Sequence, residues 1–182
     1  MKYFRLLDNI NYPQRWYLGD LVPDNNNWKF TYANKIDEAL LASDLEVEIY
    51  KSGNSMDYTT TEGYVVPIVS VALRKALEFV KDVQFIPIQI EGQLYYIMVL
   101  CSVIYCVDES ASEFEKYLEN DSISADKTGD YKSFYRMKID ERKTRFKDMF
   151  RLGGYDIAII VSEKVKNEIE NINPLTATFK EV

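Results

Sequence analysis

Eight acids fall within residues 108–130 (DESASEFEKYLENDSISADKTGD): Asp108, Glu109, Glu113, Glu115, Glu119, Asp121, Asp126 and Asp130. Two bases, Lys116 and Lys127, oppose them, so this one segment carries −6 of the chain's net charge of −7. Carboxylates at such density could do three kinds of chemistry. A facing pair about 5–9 Å apart can hydrolyse a glycosidic bond. A cluster can hold Ca²⁺ or Mg²⁺ through its oxygens. An acidic surface can dock a basic partner and speed its arrival. The segment lacks the Asp-x-Asp-x-Asp-Gly start and the Glu at the twelfth place that a calcium loop needs, so no metal is expected.

Other reactive equipment is sparse. The chain has no histidine, which removes His-based acid/base catalysis, Ser-His and Cys-His nucleophiles and most zinc sites. Glycines total seven and form no phosphate loop. Gly153-Gly154 precedes a strand and reads as a turn. Cys101 and Cys106 lie in one apolar run. Their odd separation points them to opposite faces of a strand, so both read as small buried thiols of a reducing compartment. No cofactor is expected. The acidic balance and the lack of clustered Lys and Arg argue against nucleic acid as a ligand.

At 182 residues with 47% hydrophobic content the chain can bury a core. The run Leu94–Val107 has 14 residues, too few to cross a bilayer as a helix. Met1–Leu7 is too short for a cleavable leader. These features predict a cytoplasmic protein without a membrane segment. Fourteen tyrosines suit a sheet and also surfaces shared with a partner.

The elements that must position the acids follow from periodicity. Strands are expected at Tyr3–Leu7, Leu45–Tyr50, Val83–Ile90, Ser133–Ile139, Tyr155–Val161 and Leu175–Val182. A helix is expected within Asn34–Ala42. Ser70 should cap a helix carrying Leu73, Ala76, Leu77 and Val80 on one face. A second helix carries Val165, Ile169 and Ile172 and stops before Pro174. Pro87 predicts an edge position or a bulge. Leu94–Val107 is apolar on both alternating faces and reads as one bent central strand. Phe114, Tyr117 and Leu118 stand at helical spacing, so a short helix should leave Glu113, Glu115 and Glu119 outward. Residues 66–88 echo residues 158–179, with Val69-Ser70 matching Val161-Ser162. The fold class is α+β: a single domain over 1–182, with a mixed, mostly antiparallel sheet and two main helices.

Several pieces in order carry a resemblance. They are YFRL, RWYLGD (15–20), YVVPIVS (64–70), VQFIPIQIEGQ (83–93), VIYCVDESAS (103–112), YRMKID (135–140), MFRLGGYDIAIIVSEKVKNEIE (149–170) and the terminal FKEV. Together they resemble immunity protein family eleven of the bacterial polymorphic toxin systems. The resemblance implies a cytoplasmic bacterial protein that binds and blocks a cognate protein toxin, without catalytic residues. The residues themselves leave two alternatives open, a carboxylate-dependent hydrolase and a structural or adaptor subunit. For the docking reading, the candidate contacts with a basic toxin are Glu113, Glu115, Glu119, Asp121, Asp126 and Trp28. Trp is enriched at binding hot spots. Trp16 is expected to pack in the core.

Overall fold

A computed structural model of the chain describes residues 1–23, 27–31, 34–37, 45–63, 65–119 and 127–182, with only the backbone of Trp28. The helix expected within Asn34–Ala42 lies largely outside the described residues, and 34–37 are not helical. Thirteen strands and two α-helices are seen among the described residues. The chain begins with β1 (Tyr3–Asp8), β2 (Tyr17–Val22), β3 (Glu46–Lys51), β4 (Tyr58–Thr60) and β5 (Pro67–Ser70). Helix α1 (Val71–Ala76) leads to β6 (Val83–Ile90), β7 (Gln93–Leu100), β8 (Val103–Ile104), β9 (Glu113–Lys116) and β10 (Tyr131–Arg136). Then come β11 (Met149–Leu152), β12 (Tyr155–Ser162), α2 (Glu163–Ile172) and β13 (Ala177–Glu181).

The strands form three sheets: β2-β3-β6-β7-β5-β4, β13-β1-β12-β11-β8, and the pair β10-β9. This corrects the expectation of a mostly antiparallel sheet. The two larger sheets are mixed, with a parallel β3–β6 pair in one and a parallel β11–β8 pair in the other. The α+β class with two main helices holds. So does the reading of β1, β3, β6, β10, β12 and β13 as strands.

The central strands explain the core. On β7, Tyr95, Ile97 and Val99 join one cluster with Leu18, Leu21 and Ile86, while Met98 and Leu100 join another with Leu73 and Val165. A strand covered on both faces must be apolar at every position, which is what LYYIMVL shows. The run does not continue as one bent strand, however. It leaves the six-stranded sheet after Leu100 and re-forms as β8 in the five-stranded sheet. Pro87 is exposed, and β3 meets β6 in register at Glu46 and Gln89. The strand is therefore internal near Gln89 and edge-like at Pro87, where a missing N–H costs no ladder bond.

The first core cluster joins both helices to both large sheets. Leu73 and Leu77 from the α1 region, and Val165 and Ile169 from α2, are buried there. Ile172, expected on the same face, is 39% exposed. Helix α1 stops at Ala76, sooner than expected, but the turn after it still buries Leu77 and Val80. Thr176 ties the sheets together: Tyr58 N–H donates to Thr176 Oγ1 at 2.7 Å, and that hydroxyl donates back to Tyr58 C=O at 3.3 Å. Trp16 is buried against Tyr95, ring centroids 5.4 Å apart, in agreement with its expected packing role.

Candidate docking surface

The acidic segment begins as β8 ends. Val107 bridges Ile139, and Asp108 then folds the chain back. Its Oδ1 accepts from Ser110 Oγ at 2.6 Å and from the Ser110 and Ala111 amides, an Asx-type turn. Strand β9 follows and pairs antiparallel with β10, with Phe114 opposite Phe134 and Glu113 opposite Arg136. The short helix expected here is corrected to a strand. Cross-strand aromatic pairing decides it: the Phe114 ring lies 5.0 Å from Tyr131 and 5.9 Å from Phe134, and Phe134 lies 5.1 Å from Tyr155 on β12. A period of two then places Phe114 inward and Glu113 and Glu115 outward. Leu118, expected to pack, is 73% exposed.

Folding changes the electrostatics of the segment. Glu113 pairs with Arg136 at 3.0 Å, Glu115 accepts from the Tyr135 hydroxyl, and Glu109 accepts from Lys116 Nζ at 2.7 Å and Tyr131 O–H at 2.6 Å. The surface is thus acidic but laced with partners from β10, which a count along the chain does not register. Beside it lies a polar cavity of about 610 Å³ whose walls include Tyr105, Asp108, Glu109, Asp140 and Arg142. All three acids are held below the usual carboxylate range: Asp108 by the Ser110 hydroxyl, Glu109 by Lys116 and Asp140 by Arg142. They stay charged at neutral pH. A general acid needs the opposite shift, and Arg142 and Lys143 in the same lining nearly balance the three carboxylates.

Asp156 alone among the described carboxylates shifts upward, chiefly through burial. It shares with Asp130 a cavity of about 140 Å³, below the roughly 300 Å³ at which ligand pockets begin. Among the described residues, no three His, Cys, Asp or Glu side chains gather as a metal ion would require.

Of the six candidate contacts, Glu113, Glu115 and Glu119 are exposed, and β9 carries the first two. Asp121, Asp126 and the Trp28 side chain lie outside the described residues. The backbone of Trp28 sits in a one-turn 3₁₀ helix, Asn27–Phe30. Sequence reasoning missed Tyr105. It is 74% exposed and lies over Gly153, where a Cβ would stand 2.5 Å from its ring. The signal was the glycine, whose lack of a side chain admits the ring; it read only as a turn.

The described residues form a mixed-sheet α+β fold with an acidic, aromatic face. The chain matches the immunity protein family Imm11 over residues 44–182 and is a member of that family. The pieces YFRL and RWYLGD lie before the matched stretch. A search of curated proteins finds no match. Among the described residues no helix is long and apolar enough to cross a membrane.

Proposed function

We propose that this protein is a non-catalytic immunity protein of the bacterial cytoplasm that binds a cognate toxin and neutralises it by covering its working surface. Membership of the Imm11 family carries the reading. The β9–β10 face supports it, because it presents exposed Glu113 and Glu115 with exposed Tyr135, whose hydroxyl donates to Glu115. Inhibition by occlusion needs aromatic anchors and charge rather than a reactive group. The partner is a basic toxin, and Asp121, Asp126 and Trp28, whose side chains lie outside the described residues, are further candidate contacts. A single domain over residues 1–182 is supported by β1, which lies between β12 and β13 although it precedes the family match.

The test is co-expression with the toxin domain encoded beside this chain, followed by capture of the complex. Changing Glu113, Glu115, Glu119 and Asp121 together to Gln and Asn should weaken binding and flatten its salt dependence. A toxin that never co-purifies sinks the reading. Unchanged affinity and salt slope sink the acidic face as its contact.

A further inference from the structure

We propose that the turn 144–147 is a rigid probe that sets Phe146 into an apolar pocket of the toxin, with Arg145 meeting a carboxylate on the rim of that pocket. The proposal rests on the toxin-binding reading and names a contact of opposite charge to the β9–β10 face. One partner then meets the acidic face with its basic surface and this tip with an acidic pocket.

Lys147 N–H donates to Thr144 C=O at 3.2 Å, which closes a four-residue turn. Its central residues, Arg145 and Phe146, both lie at a φ of +55°. Two positive values in succession belong to a type I′ turn, where Asn-Gly is the favoured pair. An ordinary L-residue there brings its Cβ too close to the following carbonyl. Arg145-Phe146 is the one consecutive pair of non-glycine residues at positive φ among those described. Phe146 is 77% exposed, and Arg145 is exposed beside it. Neither side chain makes a hydrogen bond, ion pair or ring contact among the described residues. No such contact offsets the backbone strain, and strain of this kind is stored at ligand clamps.

Both feet of the turn are fastened. Thr144 is fully buried, and its Oγ1 lies 3.0 Å from the Tyr3 hydroxyl, donates to Glu141 C=O at 2.8 Å and accepts from Phe146 N–H at 3.3 Å. Lys147 pairs with Asp82, and Asp148 accepts from Ser162. A tip held in this way loses little freedom on binding. The carboxylates around it are already engaged: Glu141 with the N-terminal ammonium, Asp140 with Arg142 and Asp82 with Lys147. Exposed Lys143 and Arg145 form no ion pair among the described residues. The tip therefore carries uncompensated positive charge on a chain of net charge −7. Charge complementarity gives it an acidic seat, and an exposed phenyl ring on a convex turn needs a concave apolar one. An anionic bilayer fits less well, because its recognition takes about four to eight clustered bases and the chain's net charge opposes it.

The test replaces the pair by the sequence its backbone prefers. The double variant Arg145→Asn with Phe146→Gly should raise the urea midpoint, because strain is released. It should also weaken capture of the toxin at least about tenfold, as loss of a hot-spot contact does. A midpoint that does not rise overturns the stored strain on which the proposal stands, with no toxin needed. Wild-type affinity in the variant, with toxin still held by the wild type, overturns the tip while leaving the immunity reading intact. A wild type that holds no toxin removes both. Arg145→Glu should weaken binding further than Arg145→Gln, and tighter binding by Arg145→Glu overturns the acidic seat. Sedimentation of the wild type with phosphatidylglycerol vesicles, abolished by Phe146→Ser, would make the occupant a bilayer and overturn the protein pocket.

Discussion

Ser70 and Ser162 occupy the same place in two halves of the fold. Each hydroxyl donates to an aspartate, Ser70 to Asp57 at 2.7 Å and Ser162 to Asp148 at 2.8 Å. Each then accepts from the amide three residues on, Leu73 or Val165. Each backbone N–H also donates to the carbonyl of its own aspartate. The surroundings repeat as well. Tyr58 pairs with Val69 as Met149 pairs with Val161. The sheet order β4-β5-β7-β6 corresponds to β11-β12-β1-β13. In each set the strand feeding the helix and the strand leaving it are separated by one inserted strand, β7 or β1. One hairpin-helix-strand unit is thus used twice, and the two helices pack together in the shared core.

The repeat predicts matched costs. Ser70→Ala and Ser162→Ala each remove an N-cap, which costs about 0.5–2 kcal/mol. Loss of the Asp partner's hydrogen bond puts both near the upper end. Urea unfolding measures it. An effect under a few tenths of a kcal/mol at either site would show that the cap is ornamental there.

How much of this was legible from residues alone depends on range. Ile86, Ile88 and Ile90 alternate within β6, and Val165 and Ile169 recur along α2, so local periodicity located both elements. The echo at Val69-Ser70 and Val161-Ser162 was visible too, but Asp57 and Asp148 were not, because the bond to each serine spans a hairpin. The β9 strand misread as a helix for the same reason. Phe114, Tyr117 and Leu118 satisfy helical spacing, while the rings that overrule it, Tyr131 and Phe134, arrive on a distant strand. The cavity beside β1 draws Leu6, Val65 and Ile157 from separate segments. No window along the chain contains it.

Tyr105 and Gly153 form a pair whose test separates binding from stability. Tyr105 is exposed, so Tyr105→Ala should change stability by under about 0.5 kcal/mol. If Tyr105 anchors the toxin, the same change should weaken binding by about 1–2 kcal/mol or more. Gly153→Ala should reproduce the binding loss, because its methyl displaces the ring. Binding by Gly153→Ala that equals wild type while Tyr105→Ala is impaired would break the proposed link. Calorimetric titration of toxin reads both.

Cys106 makes stability sensitive to alkaline pH. The side chain is fully buried, and burial pushes its thiol up to about 12 from an ordinary 9.0. Folding therefore favours the protonated thiol. That contribution is whole below about 9, where the unfolded thiol is also protonated, and it is lost as pH rises toward about 12. Cys106→Ala should flatten the decline of urea midpoints across this window. At mildly alkaline pH, Cys101, half-buried, should react with iodoacetamide first, and Cys106 only on unfolding. Equal labelling rates in the native protein would contradict this picture.

Arg151 predicts a gain in stability on losing its charge. The side chain is 2% exposed. Its Nη1 donates to Asp156 C=O at 2.6 Å, but Nε and Nη2 have no partner among the described residues. Burial lowers its pKa, the direction expected when water is withdrawn from a cation. Desolvating a guanidinium costs several kcal/mol, whereas one charged hydrogen bond returns about 1.5–3 kcal/mol. Arg151→Met keeps most of the apolar stem and removes the charge. Arg151→Met should raise unfolding free energy by about 1–4 kcal/mol, as replacements of buried ions by apolar residues do. A clear fall in the urea midpoint would mean that the guanidinium is held by more than its one bond to Asp156.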